Sequence, residues 1–250
     1  MTIGRIDESQ RGAARAAGIA YLLALAASVF AEFYVNGQLI VSANSAQIAT
    51  NIMTHERLFR LGIASNLVAF AADGVLLVSL YVVLKPICRS LALVAAGWRL
   101  VETLVLVSTS MRDLDALRVL SGADYLRVFE PEQLQALSRM AVAAHGAAYN
   151  LALFFFGLGS TMFCLLWFKS RYIPRALAAC GVLSSLLVAA CTFSFLIFPY
   201  LATIVSVGVY AGPIFFFELT LGLWLLLKGL PYSVTAEPER ATAQPKAGAP

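Results

Sequence analysis

Long apolar stretches alternate with short polar segments along the whole chain. Six stretches reach the roughly 20 residues that a helix needs to cross about 30 Å of hydrocarbon. They cover residues 12–34, 60–84, 91–110, 138–168, 175–198 and 203–228. Long uninterrupted runs satisfy their backbone hydrogen bonds in lipid as helices. The pattern predicts an all-α polytopic membrane protein: a cytoplasmic N-terminal segment (1–11), a membrane domain of six transmembrane helices (12–230) and a disordered cytoplasmic tail (231–250).

Basic residues are distributed unequally between the two sides of this six-span arrangement. One side carries arginine and lysine with few acids: Arg5, Arg11, Arg15, Lys85, Arg89, Lys169, Arg171, Arg175, Lys228, Arg240 and Lys246. On the other side, arginines are interspersed with acidic residues. Because short loops rich in Lys and Arg remain cytoplasmic, both termini are predicted to be cytoplasmic.

Composition supports lipid as the solvent. Hydrophobic residues make up 60% of the 250 residues, charged residues 13%, and the mean hydropathy is +0.80. A soluble domain has about 25% charged residues, so the bilayer is the predicted partner. The net charge of +4 does not indicate a nucleic-acid partner, because no basic face with interleaved aromatic residues is present.

Both predicted outer loops carry short amphipathic patterns. In the first, Asn44 or Ser45 is placed to cap a helix that carries Ile48 and Ile52. In the second, covering 112–137, leucines recur at helical spacing before Pro131 begins the fourth span. The sequence therefore predicts short interfacial helices in both outer loops.

Five ionisable residues lie inside the predicted spans, where a charge costs at least about 2.5–3.5 kcal/mol on insertion scales. They are Glu32, Asp73, Arg99, Glu102 and Glu218. Four acids against one arginine cannot all stay charged in hydrocarbon. This imbalance predicts a central polar cavity.

The deep residues form recognisable pairs along their helices. Arg99 and Glu102 are three residues apart and share a face, which fits either a self-neutralising ion pair or an ion or proton relay. Asn66 precedes Asp73 by seven residues and lies on nearly the same face. The pattern leaves Asp73 and Glu218 as the acids without an obvious partner.

The sixth span combines an acid with helix-disrupting residues. Pro213 stands five residues before Glu218 and is predicted to bend the helix. Gly208 and Gly212 form a GxxxG, whose commoner meaning is close helix packing. Tyr210, eight residues before Glu218, is a candidate cavity residue.

Two further polar groups complete the candidate site. Glu32 ends the first span, where Arg57 or Arg60 is predicted to form an outer-edge ion pair with it. His145 lies about two turns into the fourth span and fits either a hydrogen-bonding packing residue or a proton acceptor. No HExxH and no cysteine pair at metal-ligand spacing is present, so neither a metal nor a cofactor is predicted.

Several loop motifs resemble a known family. They are Asn51-Ile52 with Glu56, Phe59-Arg60 and Gly62, then the turn Lys169-Ser170 with Ile173-Pro174-Arg175, and finally Trp224-Leu-Leu-Leu-Lys228-Gly229. With these motifs the chain resembles the DUF4386 family of bacterial six-span membrane proteins, whose activity is uncharacterised. The resemblance covers roughly residues 10–230 and implies a multi-pass protein of the bacterial cytoplasmic (inner) membrane.

Three functions fit these observations. The leading hypothesis is binding or transport of a small polar or cationic solute in a cavity lined by Asp73, Arg99, Glu102 and Glu218. The second is an intramembrane enzyme that acts on a lipid or isoprenoid, with His145 and an acid as general acid–base groups. The third is a non-catalytic sensor or assembly factor that docks a partner on its outer segments. The sequence does not predict the oligomeric state.

Overall fold

The computed structural model describes residues 6–40 and 44–231. Seven helices organise them, and every regular element in these ranges is helical. The helices are α1 (Glu8–Leu39), α2 (Ser45–Thr54), α3 (Glu56–Leu84), α4 (Arg89–Leu120), α5 (Pro131–Ser170), α6 (Arg175–Ile197) and α7 (Gly212–Leu227). Single turns at Asp124–Leu126, Leu201–Ile204 and Val207–Tyr210 lie between them. The all-α prediction is confirmed, whereas the predicted tail falls outside the described residues except for residue 231.

Local sequence sets several helix ends. The backbone N–H of Gln10 donates to the Asp7 side chain at 2.7 Å, and the Asp7 N–H donates back to Gln10 at 3.1 Å, which begins α1 with a capping box. Helix α3 ends at Leu84, with Lys85 as its C-cap directly before Pro86. Pro131 occupies the first turn of α5, where its missing N–H costs nothing. The 40 residues of α5 extend about 60 Å at 1.5 Å per residue.

Five helices are long and apolar enough to cross a membrane: α1, α3, α4, α5 and α6. The predicted sixth span is not one continuous helix, because the chain leaves helical geometry at Val205–Ser206 and again at Ala211. Its final piece, α7, has 16 residues, or about 24 Å. Pro213 does not bend a helix as predicted; it lies in the first turn of α7 and helps to begin that helix.

Glycines permit three close helix contacts. A Cβ placed on Gly18 would lie 2.9 Å from the backbone oxygen of Gly222, so α1 and α7 touch backbone to backbone there. Gly157 fits in the same way against Ala189 of α6, and Gly159 fits against Arg99 of α4. In contrast, nothing lies within 4 Å of a Cβ at Gly208 or Gly212. Within the described chain, that GxxxG therefore makes no close helix contact.

Helices α1 and α7 run in opposite directions. Gly18 meets both Gly222 and Leu226, while Tyr21, one turn further along α1, meets Gly222. Ile6 and Leu230 belong to one buried cluster. The two ends of the described chain therefore lie at the same end of the bundle.

The outer end of the bundle is built differently from the prediction. Helix α2 begins at Asn44, whose side chain accepts from the Ala46 N–H at 2.9 Å. Its Ile48 and Ile52 are fully buried against α1, α3, α4 and α5 residues. Within the described chain α2 thus packs on protein rather than on a membrane surface. The second predicted interfacial helix is instead the last part of α4, which continues unbroken to Leu120.

Candidate functional site

A cavity of about 720 Å³ lies between α1, α3, α4, α5, α6 and α7. All seven residues predicted for a central cavity line it: Asn66, Asp73, Arg99, Glu102, His145, Tyr210 and Glu218. Glu32 lines it as well, and so do aromatic side chains that include Tyr21, Phe70, Tyr149 and Phe156. Polar groups from distant parts of the chain therefore meet in one space; their functional role stays a prediction.

Arg99 joins two acids at the inner part of this space. Its Nη2 donates to Asp73 Oδ1 at 3.1 Å, and its Nη1 lies 3.0 Å from Glu102 Oε2. The second contact is an ion pair outside hydrogen-bond alignment, because neither Nη1 nor Oε2 has a hydrogen-bond partner among the described residues. Asp73, expected without an obvious partner, is thus paired across the interface between α3 and α4.

The guanidinium of Arg99 is enclosed as well as paired. Its side chain is only 4% exposed, and its Cζ lies 4.6 Å from the centre of the Phe156 ring, in cation–π range. Gly159 leaves room for it, since a Cβ there would lie 2.9 Å from Arg99 Cγ. Helix α5, through Phe156 and Gly159, therefore helps to enclose the Arg99 side chain of α4.

Glu218 differs from the other acids of the cavity. It lines the same space from α7. No hydrogen bond or ion pair engages its carboxyl group within the described chain, and the charge of Arg99 acts on it only at longer range. One acid in this apolar surrounding is thus left without a bonded partner.

A second polar cluster lies toward the end of the bundle opposite the chain termini. His145 Nδ1 is 2.9 Å from Asp113 Oδ1 and 3.0 Å from Oδ2. Its Nε2 is 3.5 Å from Glu32 Oε2, too long and too poorly aligned for a hydrogen bond. One imidazole therefore lies between carboxyl groups of α1 and α4, which hold α5 to both helices.

The predicted outer-edge ion pair of Glu32 does not form. Glu32 instead accepts from the Asn66 side chain at 2.8 Å and from Asn36 at 2.9 Å, in addition to its contact with His145. Arg60 pairs with Glu56 one turn earlier on α3, at 2.7 Å on the exposed surface, and Arg57 is exposed. The prediction failed because Glu32 faces the bundle interior, while both arginines face outward.

The backbone around Glu32 is unusual. Residues Val29–Asn36 form a π-helical stretch inside α1, a geometry that occurs frequently at functional sites. The hydroxyl of Ser65 on α3 donates to the Ala27 carbonyl at 2.9 Å, just before this stretch. The π-helical turn and this bond from α3 together position Glu32 beside Asn66.

Sequence reasoning missed Asp113 and Tyr21. Asp113 was assigned to the outer loop, although it lies eleven residues after Glu102 and hence almost on the same helix face. Leu106 and Thr109, which are also buried, connect the two along α4. Tyr21 lines the cavity from α1, but an aromatic residue in an apolar run gives no signal of its own.

The side chains that could bind a metal ion are not grouped in the described part of the chain. Residues 6–40 and 44–231 contain no group of three His, Cys, Asp or Glu side chains that could hold a metal ion. The described cysteines are free, and Cys164 is buried. The cavity offers carboxyl groups, one guanidinium, one imidazole and aromatic faces.

Five spanning helices around a buried polar cavity define a multi-pass helical membrane protein. The chain belongs to the family described as Domain of unknown function (DUF4386), which it matches over residues 16–229. No curated protein and no solved structure matches the chain. The family assignment covers most of the chain and carries no molecular function, so the function rests on the site.

Proposed function

We propose that the cavity binds a small cationic solute and that the protein carries this solute across the bacterial cytoplasmic membrane. The observation that carries the proposal is Glu218, a carboxyl group that lines the cavity and has no bonded partner among the described residues. A buried charge in an apolar surrounding is stabilised when an opposite charge enters. The solute supplies that charge.

The charge balance of the whole cavity favours a cation over an anion. Four carboxyl groups line it, against one arginine and one histidine. Both carboxyl groups nearest Arg99 already share its charge, at 3.1 and 3.0 Å. An anion would meet this excess of acids, whereas a cation relieves it.

The walls favour an organic cation. Tyr21, Phe70, Phe156 and Tyr210 line the same space as Glu218. Aromatic faces attract ammonium groups most strongly where water is excluded. A bare metal cation would need several oxygen ligands in place of its hydration shell. The described residues present no group of three side chains that could provide them.

The proposed topology has six crossings with both termini in the cytoplasm. The broken segment 201–227 supplies the sixth crossing, since α7 runs antiparallel to α1, and Ile6 and Leu230 belong to one buried cluster. The excess of arginine and lysine at that end supports a cytoplasmic position.

Binding is tested with tetramethylammonium as the probe and thermal stability in detergent as the measurement. A ligand stabilises the folded state by RT ln(1 + [L]/Kd), so the wild-type melting temperature should rise with concentration. Glu218→Gln should abolish this rise. Asp124→Asn, which alters an acid that is 87% exposed and distant from the cavity, should retain it. An equal rise in wild type and Glu218→Gln would contradict the proposal.

Transport is tested separately by flux of labelled tetramethylammonium into liposomes that contain the protein. Uptake should exceed that of empty liposomes and should be lost in Glu218→Gln. Binding without uptake would refute the transport step and leave a solute-binding protein.

His145 favours a second candidate, an intramembrane enzyme that acts on a lipid. It lines the cavity within 2.9 Å of Asp113, the geometry that general acid–base chemistry requires. If this is correct, incubation with a bacterial lipid extract should yield new products by mass spectrometry, and His145→Gln should abolish them. Identical lipid profiles with and without protein would exclude this candidate.

A further inference from the structure

The cavity has an apolar mouth where α1 and the last segment of the chain separate. At Gly18 and Gly222 the two backbones are in contact. Further along α1, Val29 and Phe33 line the cavity, as do Val207 and Gly208 of the last segment. No glycine on α1 continues the close contact in that direction, so side chains hold the two segments apart.

Exposure locates the opening. Of the cavity-lining residues in the described chain, the exposed ones are Val29, Phe33, Gly146, Val207 and Gly208. Phe33 is 66% exposed and Val207 48% exposed. All five are uncharged, and none has a polar side chain. The rim is therefore suited to hydrocarbon.

The rim lies within the apolar stretches. Val29 and Phe33 fall in the apolar run of α1, and Gly146 lies inside the apolar run of α5. On α1 the rim begins eleven residues after Gly18, or about 16 Å along the helix. In the proposed topology, the opening thus lies in the outer half of the bilayer and faces sideways.

We infer that the occupant of the cavity is an amphipathic cation that enters sideways from the bilayer. Its charged group lies beside Glu218, and its apolar part extends through the mouth between α1 and residues 207–208. This inference rests on the proposed function, because it presumes that a cation binds at Glu218. It adds the class of cation and the route by which it arrives.

Charge complementarity argues for this occupant over a neutral lipid. The mouth alone would accept any acyl chain, but behind it Glu218 lacks a bonded partner within the described residues and the acids outnumber the bases. A neutral lipid would leave that carboxyl group uncompensated, whereas an anionic headgroup would meet like charge. Only a cation with an apolar portion can both contact the apolar rim and place a positive charge beside Glu218.

The test compares probes that differ in their apolar part, with the protein in nanodiscs and empty nanodiscs as the blank. Binding of tetramethylammonium, butyltrimethylammonium and hexyltrimethylammonium is measured by equilibrium dialysis. Burial of each added methylene contributes about 0.8 kcal/mol. The hexyl probe should therefore bind at least tenfold more tightly than tetramethylammonium, with the butyl probe between them.

A substitution at the mouth tests whether the apolar part of the bound probe lies there. Gly208→Trp places a large side chain where nothing lies within 4 Å of the Cβ position. It should weaken binding of the hexyl probe at least tenfold more than it weakens binding of tetramethylammonium. Gly97→Trp is the matched control, since it also enters open space but lies away from the cavity, and it should change neither affinity.

The outcomes separate the two proposals. If no probe binds, or if Glu218→Gln binds them all as wild type does, the proposed function fails. If tetramethylammonium binds through Glu218 but the hexyl probe binds no more tightly, the amphipathic class alone is overturned. The chain-length comparison needs only wild-type protein, so it decides the class even if Gly208→Trp does not fold.

Discussion

Arg99 is the residue on which the inner part of the cavity depends. Its single positive charge is shared between the carboxyl groups of Asp73 and Glu102, and it is nearly inaccessible to solvent. Burial makes such a triad a weak source of net stability but a costly one to break, because a lone buried charge keeps its full desolvation penalty. The fold requires Arg99 because, without its charge, the buried carboxyl groups of Asp73 and Glu102 would have no positive partner.

Arg99→Ala should therefore destabilise the fold by about 3–5 kcal/mol, the cost of removing one partner of a buried pair. The measurement is folded yield and melting temperature in detergent. Arg60→Ala is the control: its ion pair with Glu56 is 56% and 41% exposed, and such pairs contribute about 0–1 kcal/mol. Equal stability of the two variants would show that the acids around Arg99 are neutral in its absence.

His145 provides a second prediction at this scale. His145→Leu leaves Asp113 and Glu32 facing each other without the imidazole, and a buried polar group that loses its partner costs about 1–3 kcal/mol. The other histidine of the chain, His55, is exposed, so His55→Leu is the matched control. A comparison of melting temperatures should show a clear loss for His145→Leu only.

Residue types were more predictable than residue pairs. Acids inside apolar runs must find a polar surrounding, so their placement along one cavity follows from the cost of charge in hydrocarbon. Pairing depends on which face each helix turns inward. A π-helical stretch rotates Glu32 toward Asn66 and His145, away from Arg57 and Arg60. That stretch has no clear sequence signature, so the pair was predicted wrongly.

At the scale of elements, contact between α1 and α7 is set by two glycines. Because a Cβ at Gly18 would lie 2.9 Å from backbone atoms of both Gly222 and Leu226, no side-chain rearrangement can relieve the overlap. The helices would have to separate.

Gly18→Ala should destabilise the protein by about 1–3 kcal/mol, the usual cost of overpacking. Gly74→Ala, in the middle of α3 with nothing within 4 Å of the new Cβ, should instead stabilise it by about 0.5–1 kcal/mol through helix propensity. Thermal unfolding of the two variants, measured side by side, should give shifts of opposite sign. Shifts of the same sign would show that α1 and α7 are not in contact.

Helix ends were predictable where a capping residue or a proline marks them, as at Lys85 and Pro131. The outer end of α4 was not. The charged sequence Arg112-Asp113 was interpreted as the end of a span, yet the helix continues to Leu120 because Asp113 bonds to His145 inside the bundle. Tertiary packing overrode a local polarity signal.

For the whole molecule, the proposed topology predicts which cysteine is reachable from which side. Cys88 is exposed in the turn between α3 and α4, at the end of the bundle assigned to the cytoplasm. A membrane-impermeant maleimide should modify it only after the cells are permeabilised.

A cysteine introduced as Asp124→Cys, in the turn between α4 and α5, should react in intact spheroplasts, with Cys88→Ser as its background. Because the Asp124 side chain is 87% exposed, a cysteine at this position is accessible to the maleimide. Modification of Cys88 without permeabilisation would invert the topology.

The depth of Glu218 has a consequence for energetics. It lies six residues into α7 from Gly212, about 9 Å along the helix axis; this alone is about a third of the roughly 30 Å hydrocarbon thickness, before the depth of residues 201–211 is added. A cation that reaches it from the outer mouth would cross at least that share of the transmembrane potential, where one charge is worth about 2.3 kcal/mol per 100 mV. Occupancy of the cavity should therefore rise about threefold or more for each 100 mV of inside-negative potential. The inside-negative membrane potential of the cell would thus by itself increase the fraction of protein that has a cation bound.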